Sequence, residues 1–184
     1  YAVGAPFMGL GVRLLPGVMT STAAVGRALL ALAAGAVAQE TGATMAPQWW
    51  GNVNLVSHHF GDEDDFLADG EDFNQSNYGL GVEVQWQPRH AVSAGYYRNS
   101  VDEDSYYALY HYTPLALGDY VRLGGMLGVV TGYPGYNDGG IGPAAGLVAK
   151  IEGRRVGANL IYLPRVSEVT PHTLGLQFKV RFGP

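Results

Sequence analysis

Cysteine is absent from this 184-residue chain. Disulfides and thiol catalysis are therefore excluded, and the absence is compatible with the bacterial envelope. Charge is scarce as well. Only 15% of residues are Asp, Glu, Lys or Arg, and the net charge is −5. A nucleic-acid partner would need a basic face, so none is expected. From residue 48 onward there is also no run of 18 apolar residues, which excludes a membrane-spanning helix in that region. Yet 47% of the chain is hydrophobic and 27 residues are glycine. The apolar residues must therefore be distributed some other way.

They alternate. The last stretch reads Leu174-Gly-Leu-Gln-Phe-Lys-Val-Arg-Phe182. Leu174, Leu176, Phe178, Val180 and Phe182 share one parity, while Gln177, Lys179 and Arg181 share the other. A strand with this period has one apolar and one polar face. Similar patterns place strands at about 48–60, 77–87, 91–99, 105–113, 120–132, 142–152, 155–163 and 172–182. Their lengths suit strands that cross a bilayer at a tilt. Eight strands use nearly the whole region and leave little to cover a second apolar face. The expected fold is all-β, an eight-stranded antiparallel up-and-down transmembrane β-barrel, apolar outside and polar inside.

Ahead of the strands, residues 19–38 read as a secretory signal. Arg27 supplies the positive charge, a short apolar run follows, and Ala36-Val-Ala38 is a small-x-small cleavage site. The expected division is 1–38 as signal and upstream residues and 39–184 as the barrel domain.

Connections alternate in length. Those at 88–90, 115–119 and 153–154 are short, and those at 61–76, 100–104, 133–140 and 164–171 are mostly longer. Outer-membrane barrels pair short periplasmic turns with longer outside loops, so the expected location is the bacterial cell outer membrane. Trp49, Trp50, Tyr78, Trp86, Tyr106, Tyr107, Tyr120, Tyr133 and Phe182 lie near strand ends and suit interfacial girdles. Parity places Glu83, Gln85, Arg122, Lys179 and Arg181 inside the periplasmic half. It places Gly79, Gly81, Met126, Gly128, Val130 and Gly175 inside the outer half. A polar floor under a small apolar chamber would suit an acyl chain.

Two clusters carry potential chemistry. Ser57-His58-His59-Phe60 closes the first strand at its outer end, and Tyr97-Arg98-Asn99-Ser100 closes the third on the same rim. A histidine can act as general base and a serine as nucleophile when they meet. The acidic stretch 61–72 lacks EF-hand spacing and reads as a solvated outer loop. The five histidines lack zinc-like spacing, so no metal or other cofactor is expected.

From residue 57 to 182 the chain resembles the PagP family of outer-membrane lipid A palmitoyltransferases. The resemblance rests on a His at the outer end of strand one, on Phe73-Asn-Gln-Ser-Asn-Tyr-Gly-Leu-Gly81, and on Asn99-Ser100 where the family carries Asp-Ser. It continues through Tyr112-Thr-Pro-Leu115, Leu127-Gly-Val-Val-Thr131, Pro143, Tyr162-Leu-Pro164 and an aromatic C-terminal strand. It implies transfer of a palmitoyl group from a phospholipid to lipid A by a monomer whose partners are these membrane lipids. It maps the catalytic His onto His59, with His58 the alternative that parity favours, and the catalytic Ser onto Ser100. Asn99 takes the family's Asp position but cannot be a carboxylate. The resemblance also reads Pro143 and Pro164 as breaks through which lipid enters sideways. Two other functions fit the same barrel: a non-catalytic structural or adhesive protein, and a lipid A deacylase or esterase.

Overall fold

The computed structural model describes residues 46–60, 72–165 and 171–183. The expected signal at 19–38 and nearly all of the acidic stretch, 61–71, lie outside them. Eight strands follow in order: β1 (Gln48–Phe60), β2 (Gly79–Gln87), β3 (His90–Arg98), β4 (Asp104–Leu117), β5 (Val121–Val130), β6 (Gly142–Glu152), β7 (Val156–Leu163) and β8 (His172–Phe182). Each pairs antiparallel with its neighbour, and β1 closes on β8. The sheet is a closed up-and-down barrel. Turns of two or three residues join β2–β3, β4–β5 and β6–β7 at one end, and the longer connections gather at the other.

Burial runs opposite to that of a soluble domain. On β8 the side chains of Gln177 and Lys179 are enclosed, while Phe178 and Val180 are exposed. Leu80, Leu115, Leu127 and Leu147 are each at least 60% exposed, whereas Glu83, Lys150, Asn159 and His111 are sealed within. An apolar exterior around a polar lumen is the arrangement that a lipid solvent stabilises.

Three bulges adjust this parity. Between Asn54 and Val56 β1 carries one residue more than β8, so inward positions shift from even to odd numbers above Leu55. Between Tyr112 and Leu115 β4 carries one residue more than β5. Pro114 sits in that bulge, where its missing N–H costs no ladder bond. β4 consequently continues to Leu117, beyond the end at 113 that alternation predicts, with Leu115 and Leu117 turned outward. The third bulge lies between Gln85 and Gln87.

The girdle reading needs correction at three positions, Trp50, Tyr107 and Tyr133, the last of which lines the interior. Trp49, Tyr78, Tyr120 and Phe182 are exposed at strand ends, and Trp86, His90, Tyr110 and Tyr112 cluster at the short-turn end. Trp50 and Tyr107 instead point into the lumen, 1% and 4% exposed. Each sits one residue from an outward neighbour, and parity, rather than nearness to a strand end, decides its side. Arg122 and Arg181 are half-exposed at the short-turn end and stand apart from the ion pairs of the interior.

Candidate functional site

The lumen is built in layers. At the bottom, Glu83 Oε1 accepts from Lys150 Nζ at 2.8 Å and from Lys179 Nζ at 2.9 Å. Lys179 also pairs with Glu152 and lies 4.8 Å from the centre of the Trp50 ring. Two carboxylates thus face two ammonium groups, and the plug neutralises itself, as a buried cluster must. Above it, Asn159 Nδ2 donates to Glu83 and to Gln177. Gln177 Nε2 donates in turn to Asn54 Oδ1 at 2.6 Å and to the Tyr107 hydroxyl at 3.1 Å. Gly81 and Gly95 make this possible, because a Cβ at either would strike the Tyr107 hydroxyl.

The Tyr107–Gln177–Asn54 layer is the floor of a chamber of about 310 Å³. Leu109, Met126, Val130, Ala144, Ile161 and Leu163 form its walls. Such a volume with mostly apolar walls is at the lower end of the range for small-molecule sites. On one side the wall is not a hydrogen-bonded ladder. β6 pairs with β7 only from Leu147 to Glu152, although it stays paired with β5 up to Gly142. Continued, the register would set Gly146 against Leu163 and Ala145 against Pro164, which has no N–H to donate. Pro143, Ala144, Leu163 and Pro164 line the chamber along this stretch.

The mouth carries the polar groups. His59 lines it and stacks on Phe73, ring centroids 4.3 Å apart and planes 19° from parallel. Its Nδ1 is buried and has no hydrogen-bond partner among the described residues. His58 points outward, edge-on to Phe60 and 3.4 Å from Gln75 Oε1. The bulge at Leu55 is the reason simple parity selects the wrong histidine. Ser100 also lines the mouth, only 7% exposed.

Asn99 does not line the chamber. It is fully buried, with Oδ1 accepting from the backbone N–H groups of Val101 and Glu103. Its Nδ2 donates to Ser105 Oγ at 2.9 Å and to the Gly132 carbonyl at 2.6 Å. Every polar atom of the amide is used to shape two loops, which makes Asn99 a positioning group.

The connection from β1 to β2 joins the two rim clusters. Asn74 N–H donates to the Ser100 carbonyl at 2.9 Å, and Asn74 Nδ2 donates to the Asn99 carbonyl. Asn77 Nδ2 donates to the carbonyls of Asn74 and Arg98, while its Oδ1 accepts from the Ser57 hydroxyl. Ser57 N–H donates to the Gln75 carbonyl. This segment covers the upper half of β1, where pairing with β2 stops at Asn54.

Sequence reasoning named Tyr97 only as part of a rim cluster, placed Tyr133 in the girdle, and assigned no role to Lys150, His111 or Asn77. Lys150 was legible, since it shares inward parity with Val148 on β6. Tyr133 was not, because its position depends on how the β5–β6 connection folds over the mouth.

The fold is that of an eight-stranded transmembrane β-barrel, with an apolar chamber above an ion-paired plug. No family model and no curated protein matches the chain. Among solved structures it is similar to the solution NMR structure of the de novo designed TMB2.3, at 15% sequence identity and a TM-score of 0.50, covering 79% of this chain and all of that one. At that identity the likeness speaks for the fold alone.

Proposed function

We propose that this protein is an outer-membrane acyltransferase that moves a palmitoyl chain from a phospholipid to lipid A. One observation carries the reading. His59 and Ser100, distant in sequence, both line the mouth of an apolar chamber in the long-loop half of a lipid-facing barrel. The ladder gap between β6 and β7 supports it, since an acyl chain could pass laterally from the bilayer without breaking hydrogen bonds. In this reading His59 is the general base, the chamber holds the acyl chain, and Ser100 binds or attacks the ester at the mouth. The resemblance to the PagP family agrees with these roles.

The test is a mass spectrum of lipid A from cells expressing the chain. A palmitoyl gain that is lost in His59→Ala is the expected result. A loss of mass would identify a deacylase instead. The engagement of Asn99 in loop hydrogen bonds, with no carboxylate at its position, favours a second reading, a barrel that holds an acyl chain without reacting. Unchanged lipid A in cells with abundant folded barrel would select it.

A further inference from the structure

One hydroxyl at the chamber mouth has no part in the scheme above. Tyr133 lies just beyond β5, lines the chamber, and sits 2.8 Å from the Tyr97 hydroxyl, oxygen to oxygen. Ser100 lines the same mouth. Its backbone is fixed on both sides. The Tyr133 carbonyl accepts from the N–H groups of Tyr136 and Gly139, at 2.9 and 3.0 Å. The preceding Gly132, at φ +85°, offers its carbonyl to Asn99 Nδ2. A side chain at that position would be strained by the backbone and would strike the Asp104 carbonyl. The phenol is thus held by a built loop, and the buried amide of Asn99 is one of its anchors.

A phenolic oxygen has two acceptor sites and one proton. The Tyr97 hydroxyl can donate to the Tyr133 oxygen, which frees the Tyr133 proton to point into the chamber. Burial holds the Tyr133 phenol above the usual tyrosine range, partly offset by Tyr97 and Ser100. At neutral pH it is a donor and a poor base. The mouth therefore separates its two tasks: His59 can take a proton, and Tyr133 can offer a hydrogen bond.

We propose that Tyr133 is a further catalytic residue, whose hydroxyl donates a hydrogen bond to the carbonyl oxygen of the acyl ester seated at the mouth. This rests on the acyl-transfer reading. The acceptor hydroxyl attacks the ester carbonyl carbon and gives its proton to the His59 imidazole. The carbonyl π pair moves onto oxygen, where Tyr133 meets the developing charge. Collapse breaks the bond to the lysophospholipid alkoxide, which takes the proton back from His59. Tyr133 keeps its own proton throughout, and Tyr97 acts through it as a positioning residue.

The experiment uses the purified full chain in detergent micelles and a phospholipid labelled with ¹³C at its palmitoyl carbonyl. In His59→Ala, where turnover is blocked, the labelled carbonyl band is expected to move to lower wavenumber on binding. It should return to its micelle position in His59→Ala/Tyr133→Phe. With His59 present, Tyr133→Phe is expected to lower kcat about 10²–10³-fold with KM little changed, the usual loss for one oxyanion donor. Heat-modifiable gel migration checks that each variant is folded. Should Tyr133→Phe not fold, Tyr97→Phe replaces it, with a partial return of the band expected. A carbonyl band indifferent to these hydroxyls, or an unchanged kcat in folded Tyr133→Phe, overturns the inference. A Tyr133-dependent band in a chain that transfers no acyl group would keep the carbonyl contact and overturn acyl transfer.

Discussion

Lys179 of β8 and Glu83 of β2 meet inside the lumen, Nζ to Oε1 2.9 Å, with both side chains sealed from solvent. The two residues are 96 positions apart, and only closure of β1 onto both neighbours brings them together. Removing one partner of such a pair leaves a buried charge unmatched. Glu83→Gln is expected to destabilise the barrel by about 3–5 kcal/mol, measured by urea unfolding in lipid vesicles. Adding Lys150→Met to Glu83→Gln removes one stranded ammonium group, and part of that loss should return.

The two neighbouring histidines separate sharply in their surroundings. His59→Ala is expected to lower acyl transfer by about 10²–10⁴-fold, the usual contribution of a general base. His58→Ala removes an outward side chain and should leave the rate unchanged. Equal losses from both would contradict the assignment of the mouth to His59.

Asn99 offers a test against the family pattern. Asn99→Asp restores the family's Asp at that position but replaces two N–H donors with an acceptor facing the Gly132 carbonyl. The expected outcome is a loss of about 1–3 kcal/mol in stability and no gain in acyl transfer. Thermal unfolding of the purified variant reads the first, and the micelle assay reads the second. Increased activity would show that this position wants a carboxylate.

Gly175 lines the chamber, and a Cβ placed there would meet only Ile161, at 4.0 Å. Gly175→Leu is therefore expected to fold and to fill part of the chamber. The preferred acyl donor should become shorter, as read from lipid A masses after growth on mixed chain lengths. An unchanged chain-length profile would place the acyl chain elsewhere.

Much of the barrel was legible in the chain because a strand has a period of two. That single regularity put Glu83, Gln85 and Lys179 inside and Leu80, Leu127 and Phe178 outside before any contact was known. Parity failed at His58 and the girdle reading at Trp50, Tyr107 and Tyr133, for two physical reasons. A bulge shifts parity without leaving a mark in the hydrophobic pattern. Nearness to a strand end does not say which face a ring takes. Of the site, Ser100 and His59 were visible as residue types at strand ends. Asn77 and Tyr133 were not, because their roles depend on loop paths that no local pattern encodes.

The chain's alternation and loop lengths by themselves determined an eight-stranded barrel with a lipid-facing exterior and a polar interior. That follows from local chemistry, since each strand must satisfy its backbone and sort its two faces. Only the tertiary structure decided which polar groups neutralise one another, where the chamber begins and which histidine faces it. Those outcomes depend on register across eight seams and on single inserted residues such as the one beside Leu55. A one-residue shift there exchanges the lumen for the bilayer.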